Sequence, residues 1–266
     1  MRHKKVSVIV PTYNQAEYLG ACLDSIWFQD YPNLEIIVVA DPSPDETSAV
    51  LAEFAASVER DMVSYASRAE ADGTVSRTQE RRYKAEGREL VIIENPERLG
   101  HTPSYNLGFQ TATGEYGTYV ASDDICHPQM ISTLAAAIEE NGVDFAYSDM
   151  FIVDDAMRIL REFRLPDYSF EASFCDWYLC GVSKLYKLAL HDQYGLYDDA
   201  YTANDHECYL RFAMNGVRFL HVSKVLYSVR SHDQRAKDVH SSAGMDKLFA
   251  ESRKLVEIAR AFARER

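Results

Sequence analysis

Two adjacent carboxylates, Asp123 and Asp124, follow an apolar segment over 117–121 that is typical of a buried strand. Neighbouring acids repel each other, so their placement together at a strand end indicates a bound divalent cation. Carboxylate oxygens suit Mg²⁺ or Mn²⁺, which keep open positions for phosphate oxygens. The alternative is that both acids cap the helix opened by Pro128, and the spacing alone leaves the two possibilities open.

A second set of candidate residues lies in the loops after the first two predicted strands. The first loop is Pro11-Thr12-Tyr13-Asn14, and the second is Ala40-Asp41-Pro42-Ser43. Tyr13 can stack on a nucleobase, and the carboxylate of Asp41 can accept the imide N–H of uracil. The alternative is that Tyr13 packs at the sheet edge and Asp41 makes a turn, which is commoner for isolated residues of these types.

Strands alternate with helices in the first half of the chain. Apolar runs predict strands over 6–10, 34–40, 90–93 and 117–121, and apolar spacing or capping signals predict helices over 16–28, from Ser43-Pro44-Asp45-Glu46, and over 102–114. In the second helix, Ser43 is the predicted cap and Pro44 the first helical residue. This alternation predicts an α/β fold with a mainly parallel central sheet flanked by helices. Ligands of such sheets bind beyond the carboxyl ends of the strands, where the candidate loops lie.

The rest of the chain has weaker signals. Residues 62–88 are predicted to form an inserted hairpin or a long ordered loop. A helix is predicted over 128–141, and strands over 144–148, 157–163, 217–221 and 224–227. The tail over 243–266 has apolar residues on one face and is predicted to be an amphipathic helix. We therefore expect one domain over 1–240, followed by a C-terminal helix over 241–266.

The composition excludes several classes of partner and site. The chain has 28 Lys and Arg against 41 Asp and Glu, and its net charge of −13 disfavours nucleic acid. The five Cys are odd in number and include no Cys-x-x-Cys pair, so neither a disulfide framework nor a thiolate zinc site is expected. The absence of a signal peptide or transmembrane segment predicts a cytoplasmic protein with, at most, peripheral membrane contact.

These motifs resemble, in order, family 2 of the inverting glycosyltransferases, which have the GT-A fold. The likeness covers most of the first 235 residues and includes the two loops, Tyr105-Asn106-x-Gly108 and the Asp123-Asp124 pair. It implies a Rossmann-like domain with a nucleotide-sugar-binding half, 1–125, and an acceptor-side catalytic half, 126–240, with a smaller antiparallel portion. The implied reaction moves a sugar from a nucleoside-diphosphate sugar, with uridine as the expected nucleoside, to a hydroxyl of a glycan or other acceptor. Such transfers build polysaccharides or cell-surface glycans.

The resemblance also implies roles for individual residues. Asp124 is expected to coordinate the Mn²⁺ or Mg²⁺ that bridges the diphosphate, while Asp123 lies near the ribose or the sugar. The family's usual second acid in the loop after the second strand is Ala40 here, and Pro42 replaces a common glycine, which weakens the case for uridine. The predicted donor contacts are Pro11, Thr12, Tyr13, Asn14, Asp41, Arg98, Asn106, Ser122, Asp123 and Arg230, with His101 as a weaker candidate.

The segment Asn204-Asp205-His206-Glu207 resembles the family's Glu-Asp motif, with Asn204 where Glu is usual. An inverting transfer requires a carboxylate opposite the leaving diphosphate to take the proton of the acceptor hydroxyl. Asp205 is the predicted catalytic base, and Glu207 is the reserve candidate. The alternative is that Asp205 serves only as the N-cap of the helix that follows.

The segment Val229-Arg230-Ser231-His232 resembles the family's Tyr-Arg-x-His motif. His232 is predicted to complete the metal shell or contact the diphosphate, and Arg230 to offset phosphate charge. A purely structural histidine is the alternative. Trp177 is a candidate platform for an acceptor sugar, or else a core tryptophan.

Two other functions share parts of this pattern. A sugar nucleotidyltransferase would carry a Gly-rich, basic phosphate loop after the first strand, and Pro11-Thr12-Tyr13-Asn14 is not such a loop. A non-catalytic nucleotide-sugar-binding module would keep Tyr13, Asp41 and Asp124 but tolerate loss of the base. Asn204 is the feature that favours the module.

Overall fold

The computed structural model describes residues 3–232 and 242–266. The strands of this part of the chain are β1 (Val6–Thr12), β2 (Leu34–Ala40), β3 (Met62–Ala69), β4 (Val75–Arg81), β5 (Arg88–Glu94), β6 (Tyr116–Tyr119), β7 (Ile125–Cys126), β8 (Phe145–Val153), β9 (Ile159–Phe163), β10 (Lys184–Lys187) and β11 (Phe219–Arg230). The helices are α1 (Ala16–Trp27), α2 (Thr47–Arg60), α3 (His101–Thr111), α4 (Met130–Asn141), a π-helix (Glu171–Cys175), α5 (Ala189–Tyr194), α6 (Asn204–Met214) and α7 (Ser242–Arg264).

Within the described residues, nine strands form one sheet in the order β5-β2-β1-β6-β10-β8-β11-β7, with β9 paired to β8. The strands β5, β2, β1 and β6 are mutually parallel. Beyond them, β10 is antiparallel to both β6 and β8, and β7 is antiparallel to β11, while β8 and β11 are parallel. The predicted α/β fold, parallel on one side with a smaller antiparallel portion on the other, is confirmed.

Helices cover both faces of the central strands. On β1, Val8 and Val10 contribute to the core that contains residues of α1, α2 and α4, whereas Ile9 contributes to the opposite core with residues of α3, α5, α6 and α7. Burial on both faces explains why β1 and β2 are nearly continuous apolar runs. A Cβ on Gly108 would approach Cγ2 of Ile9 to 2.4 Å, so α3 packs against β1 at a distance that requires glycine.

One strand on the acceptor side differs from its prediction. The segments over 217–221 and 224–227 belong to the single strand β11, whose register against β8 shifts between Val222 and Tyr227. A bulge interrupts the ladder locally without ending the strand. Because of this continuity, one strand carries the chain from Phe219 to Arg230 and the candidate site.

The start of α2 also differs from its prediction. The helix begins at Thr47, and Ser43 does not cap it. The Ser43 hydroxyl instead accepts from the N–H of Asn14, and the Asp45 carboxylate accepts from the N–H groups of both Thr47 and Ala16. The loops that precede α1 and α2 are therefore fastened to each other, because side chains of the second loop satisfy backbone donors of the first.

The insertion and the tail have the predicted secondary structure. Strands β3 and β4 form an antiparallel hairpin outside the main sheet. Helix α7 buries Leu255 and Ala259 in the acceptor-side core, and Nε of Arg260 donates to the carbonyl of Cys175 at 2.6 Å. The predicted domain boundary at 240/241 lies outside the described residues. No helix of the described chain is long and apolar enough to span a membrane.

Candidate functional site

Asp124 lies in the turn between β6 and β7 and is completely buried. Its Oδ1 accepts from the backbone N–H of Arg230 at 2.9 Å, and its Oδ2 accepts from the hydroxyl of Tyr227 at 3.1 Å. Both oxygens of Asp124 thus fasten β11 to the turn. The metal-ligand role expected for Asp124 stays a prediction, and these bonds show in addition that its carboxylate contacts β11.

Asp123 lies against His232, although 109 positions separate the two in the chain. Its Oδ2 is 2.9 Å from Nε2 of the imidazole. The ring of Tyr18, on α1, packs against the imidazole ring, with the two ring centroids 4.6 Å apart. The structure therefore brings one carboxylate and one imidazole nitrogen to the same point, which is an ordinary pair of ligands for Mn²⁺.

The guanidinium of Arg230 is anchored to backbone oxygens beside this pair. Its Nε donates to the carbonyl of Asp123 and its Nη1 to the carbonyl of Asp155, each at 3.0 Å. The guanidinium carbon also lies 4.8 Å from the ring centroid of Tyr18. These contacts fix the Asp123 turn, so Arg230 helps to shape the site and is not simply a side chain extended toward phosphate, as the sequence suggested.

The chemistry of this donor set decides whether a metal ion fits. The part of the chain described in the structure has no group of three or more His, Cys, Asp or Glu side chains placed to hold an ion by themselves. Mg²⁺ and related ions in nucleotide enzymes are commonly bound by one or two protein ligands, with phosphates and water completing the shell. Asp123 and His232 therefore fit an ion that is held jointly with a diphosphate.

The first predicted loop carries a stacked pair on the same edge of the sheet. The guanidinium carbon of Arg98 lies 3.8 Å from the ring centroid of Tyr13, a cation–π contact between two residues that the sequence assigned to the donor site. Asn14 has a positive φ of 55°, and its N–H is held by Ser43. Pro11 and Ser122 are buried where their strands approach this edge.

Asp41 organises the loop over 95–100. Its Oδ1 accepts from the side-chain amide of Asn95 at 2.8 Å and from the N–H of Leu99 at 3.2 Å, and its Oδ2 accepts from the N–H of Gly100 at 2.9 Å. Gly100 adopts φ +88°, a conformation that L side chains rarely adopt. These bonds place the start of α3, and the expected contact of Asp41 with a uracil base stays a prediction.

Helix α3 is in turn bonded to the region of the predicted base. Oγ1 of Thr102 accepts from the side chain of Asn204 at 2.7 Å. The amide of Asn106 donates to the carbonyl and accepts from the N–H of Tyr197, at 2.8 and 3.1 Å. Asn106 therefore fixes the segment before α6, whereas the sequence had assigned it to donor binding. The side-chain amide of Asn204 joins α6 to α3 through this bond to Thr102, which gives the amide at this position a structural role.

Asp205 lies in the first turn of α6, one residue inside the helix that Ala203 caps. Its Oδ1 accepts from the N–H of His206 at 2.8 Å. Burial raises the pKa of Asp205, and the nearby charge of Lys184 opposes that rise. A carboxylate with a raised pKa is a stronger proton acceptor once ionised. Asp205 is thus not the N-cap, and its environment suits the predicted general base.

The reserve candidate, Glu207, is engaged elsewhere. Its two carboxylate oxygens each accept from the guanidinium of Arg211 at 2.8 Å. A bidentate pair of this kind holds both oxygens in place. The geometry therefore favours Asp205 over Glu207 as the proton acceptor.

The C-terminal helix supports α6, a contact that the sequence did not reveal. Glu251 of α7 accepts from the N–H groups of Thr202 and Ala203, at 2.7 and 3.0 Å. A carboxylate at a helix N-terminus satisfies free donors and matches the helix dipole. On the same side of the molecule Trp177 is 36% exposed and packs against Phe249 of α7, so it is not a core tryptophan.

Two buried hydroxyl oxygens near the candidate loops, Oγ1 of Thr12 and Oγ of Ser104, lack a hydrogen-bond partner within the described chain. Buried polar atoms are usually paired, so these two are candidate contacts for a ligand or water. A cavity of about 720 Å³ lies at the opposite end of the sheet, beside Thr113, Tyr116 and Lys187, and its lining includes none of the predicted site residues.

Comparison with known proteins identifies the family of this arrangement. The family model described as "Glycosyl transferase family 2" matches residues 7–79 and 71–172, which is more than half of the chain. The chain is 30% identical over 152 residues to "Glycosyltransferase GlyA" of Streptococcus pneumoniae serotype 4, covering 57% of this chain and 18% of that protein. It is 28% identical over 151 residues to "Glycosyltransferase GlyG" of the same organism, covering 57% and 40%. The chain thus spans less than half the length of these curated relatives.

Solved structures share the fold at lower identity. Residues 1–349 of S. aureus TarS in complex with UDP align with 96% of this chain and 65% of that chain, with a TM-score of 0.66 and 21% identity. The mannosyltransferase PcManGT of Pyrobaculum calidifontis, in complex with GDP-Man and Mn²⁺, aligns with 95% and 65%, with a TM-score of 0.65 and 21% identity. Both likenesses establish the GT-A fold.

Proposed function

The chain belongs to glycosyl transferase family 2, and on that premise we propose that it is a metal-dependent, inverting glycosyltransferase. It transfers a sugar from a nucleoside-diphosphate sugar to a hydroxyl of a glycan or other acceptor, in polysaccharide or cell-surface glycan synthesis. The observation that carries the proposal is that two carboxylates lie in different surroundings. Asp123 lies beside His232, where it can bind a metal ion, and Asp205 lies in a desolvated position on α6, where it can accept a proton.

The donor is bound at the carboxyl ends of β1, β2 and β6. Asp123 and His232 hold the divalent ion together with the diphosphate, and the stacked pair Tyr13 and Arg98 contacts the nucleoside. When bound, the metal ion supplies positive charge that stabilises the departing diphosphate. The complexes of TarS with UDP and of PcManGT with GDP-Man and Mn²⁺ support a donor of this class.

Asp205 carries out the proton transfer. As the acceptor oxygen attacks the anomeric carbon, its proton passes to the Asp205 carboxylate and the bond from carbon to the diphosphate oxygen breaks. A single displacement of this kind inverts the anomeric configuration and forms no covalent sugar–protein bond. A positioned base of this type contributes on the order of 10²- to 10⁴-fold to the rate.

The expected nucleoside is uridine, and Asp41, the residue expected to contact its base, also holds the loop over 95–100 with both carboxylate oxygens. The test is a calorimetric titration with UDP, GDP, UDP-GlcNAc, GDP-mannose and other nucleotide sugars, each with Mn²⁺ and again with a chelator. We expect one nucleoside class to bind, and only with metal. Absence of binding by every member with metal present would contradict the proposed function.

A further inference from the structure

Lys184, on the short strand β10, is completely buried beneath the candidate site. Its Nζ lies 3.4 Å from the ring centroid of Tyr119 and 5.9 Å from that of Tyr209, and it donates to the carbonyl of Val182 at 3.2 Å. Burying an ammonium group is costly unless nearby charge or dipoles compensate for it. The two ring faces supply part of that compensation.

The position of Lys184 relative to α6 places it near Asp205, and the carboxylate of Asp124 is the next charge that acts on it. Tyr209 follows Asp205 by four residues, and residues four apart lie on the same face of a helix. The ammonium group that contacts Tyr209 therefore approaches the face of α6 that carries Asp205. The face of Tyr119, on the neighbouring strand β6, closes the other side.

We propose that Lys184 is a positioning residue for catalysis, which keeps Asp205 ionised in its desolvated position so that the carboxylate can accept the proton of the acceptor hydroxyl. This inference rests on the proposed function, because it assigns Lys184 to the predicted base. It adds a residue that no sequence motif singled out.

The titratable groups around Asp205 support this role. Tyr119 of β6, Tyr178 and Cys180 of the segment before β10, and Cys208 of α6 all interact with Asp205, and burial raises the pKa of each, so they stay neutral near pH 7. The pKa of neighbouring His206 is lowered by burial to about 4, so its ring is neutral as well. Lys184 is then the basic group of this set.

Lys184 and Asp205 shift each other's pKa in opposite directions. Burial raises the pKa of Asp205, and the charge of Lys184 lowers it. Burial lowers the pKa of Lys184 to about 7, and Asp205 is the strongest of the charges that raise it. Removing the ammonium group should consequently leave Asp205 protonated to a higher pH.

The experiment is a ¹³C NMR titration of the aspartate carboxyl carbons in the wild-type protein and in Lys184→Met. Methionine has similar length and no charge, and the signal of Asp205 is assigned by its disappearance in Asp205→Asn. We expect the midpoint of Asp205 to rise by one pH unit or more in Lys184→Met. The acid limb of the rate profile should move upward by the same amount, and at pH values below the midpoint each unit reduces the ionised fraction about tenfold.

The matched control is Lys187→Met, on the same strand. This side chain pairs with Asp144 at 2.7 Å and does not contribute to the pKa of Asp205. An unchanged Asp205 midpoint in Lys184→Met, or an equal rise in Lys187→Met, would overturn the inference. If Lys184→Met does not fold, Lys184→Gln carries the same test. The titration needs no substrate, so a failure of sugar transfer by the wild-type protein would contradict the proposed function without deciding the role of Lys184.

Discussion

The parallel half of the molecule, the proposed donor side, and the mixed half beyond β6, the proposed acceptor side, use carboxylates in different ways. On the donor side, Asp41, Asp45 and Asp124 accept hydrogen bonds from backbone N–H groups of other segments. On the acceptor side, Asp205 accepts one such bond from its own helical turn and faces a buried ammonium group. The comparison teaches that a carboxylate bonded to backbone N–H groups of other segments builds a loop, whereas one whose hydrogen-bond donors are its own helical turn and the side chain of Tyr178 keeps a raised pKa.

The geometry of the two halves explains this difference. Parallel strands end at one edge, where successive loops expose N–H groups that carboxylates can satisfy. The acceptor side is filled with aromatic side chains, among them Tyr119, Tyr178 and Tyr209, which desolvate polar groups without pairing with them as ions. The four predictions that follow test this contrast, beginning with the largest expected effect.

The largest effect is expected from Asp205→Asn. The amide keeps the shape of the side chain but accepts no proton, so we expect turnover to fall by about 10²- to 10⁴-fold, measured by release of the nucleoside diphosphate. Affinity for the donor, measured by calorimetry, should change little. Glu207→Gln is the control and should retain most of its activity. Near wild-type turnover by Asp205→Asn would show that another group is the base.

The next prediction compares alanine variants of the neighbouring acids Asp123 and Asp124 in donor binding and in stability. Asp123→Ala should reduce metal-dependent donor binding at least tenfold, because it removes a proposed metal ligand. Asp124→Ala should in addition lower the free energy of unfolding by about 1–3 kcal/mol, because it removes the acceptor of the hydrogen bonds from the N–H of Arg230 and the hydroxyl of Tyr227.

Calorimetry and urea denaturation of both variants give the comparison. The contrast between the acids fails if Asp124→Ala unfolds like the wild-type protein and loses only its metal response. In that case Asp124 is the ligand, as the resemblance first implied.

A smaller effect is expected from Asp41→Asn. Replacement of one carboxylate oxygen by NH₂ removes an acceptor for the loop over 95–100, so its amides should exchange hydrogen faster, with a loss of about 1 kcal/mol in the free energy of unfolding. Hydrogen-exchange mass spectrometry of residues 95–106 measures this. If Asp41 instead contacts the base, the variant would change the preference among nucleosides and leave the exchange of the loop unaltered.

The smallest effect concerns Asp144, at the end of the sheet remote from the site. Burial opposes its ionisation, but hydrogen bonds from Arg218 and Lys187 outweigh burial and lower its pKa to about 2. Because this value lies below the ordinary 3.8, ionised Asp144 stabilises the fold above about pH 4, and this contribution disappears as the pH falls through about 2.

Thermal unfolding of the wild-type protein and of Asp144→Asn between pH 2 and 7 tests this assignment. We expect a difference of about 1 kcal/mol at pH 7, since both cationic partners are partly exposed, and convergence near pH 2. A difference that does not depend on pH would indicate that packing, not charge, stabilises this corner.

The sequence predicted the parallel side of the fold well. Apolar β-branched runs covered on both faces, as in β1 and β2, have few alternatives to a buried strand, and the helices between them have clear periodicity. The sequence missed β10, because its four residues include two lysines and show no alternation. It divided β11 in two, because the exposed residues near its bulge resemble a turn.

The sequence predicted which residues belong to the candidate site, but not which contacts each of them makes. Spacing and resemblance located Asp123, Asp124, Asp205 and His232, and the structure places Asp123 against His232. The structure also shows hydrogen bonds of Asp41, Asn106 and Asp124 that the sequence motifs did not predict. Tyr18, Lys184 and Glu251 were missed because each resembles an ordinary surface or helix residue in the sequence.

The sequence by itself determined the family, the α/β alternation and the edge of the sheet where the polar loops meet, because these follow from local periodicity and short motifs. Only the tertiary structure decided which partners each carboxylate has. Those partners depend on donors brought from distant segments, such as the N–H of Arg230 on Asp124, and on burial near Lys184, which lies on β10 whereas Asp205 lies on α6. The strength of a hydrogen bond or a charge is set by distance and desolvation in three dimensions, and the order of residues along the chain does not encode either directly.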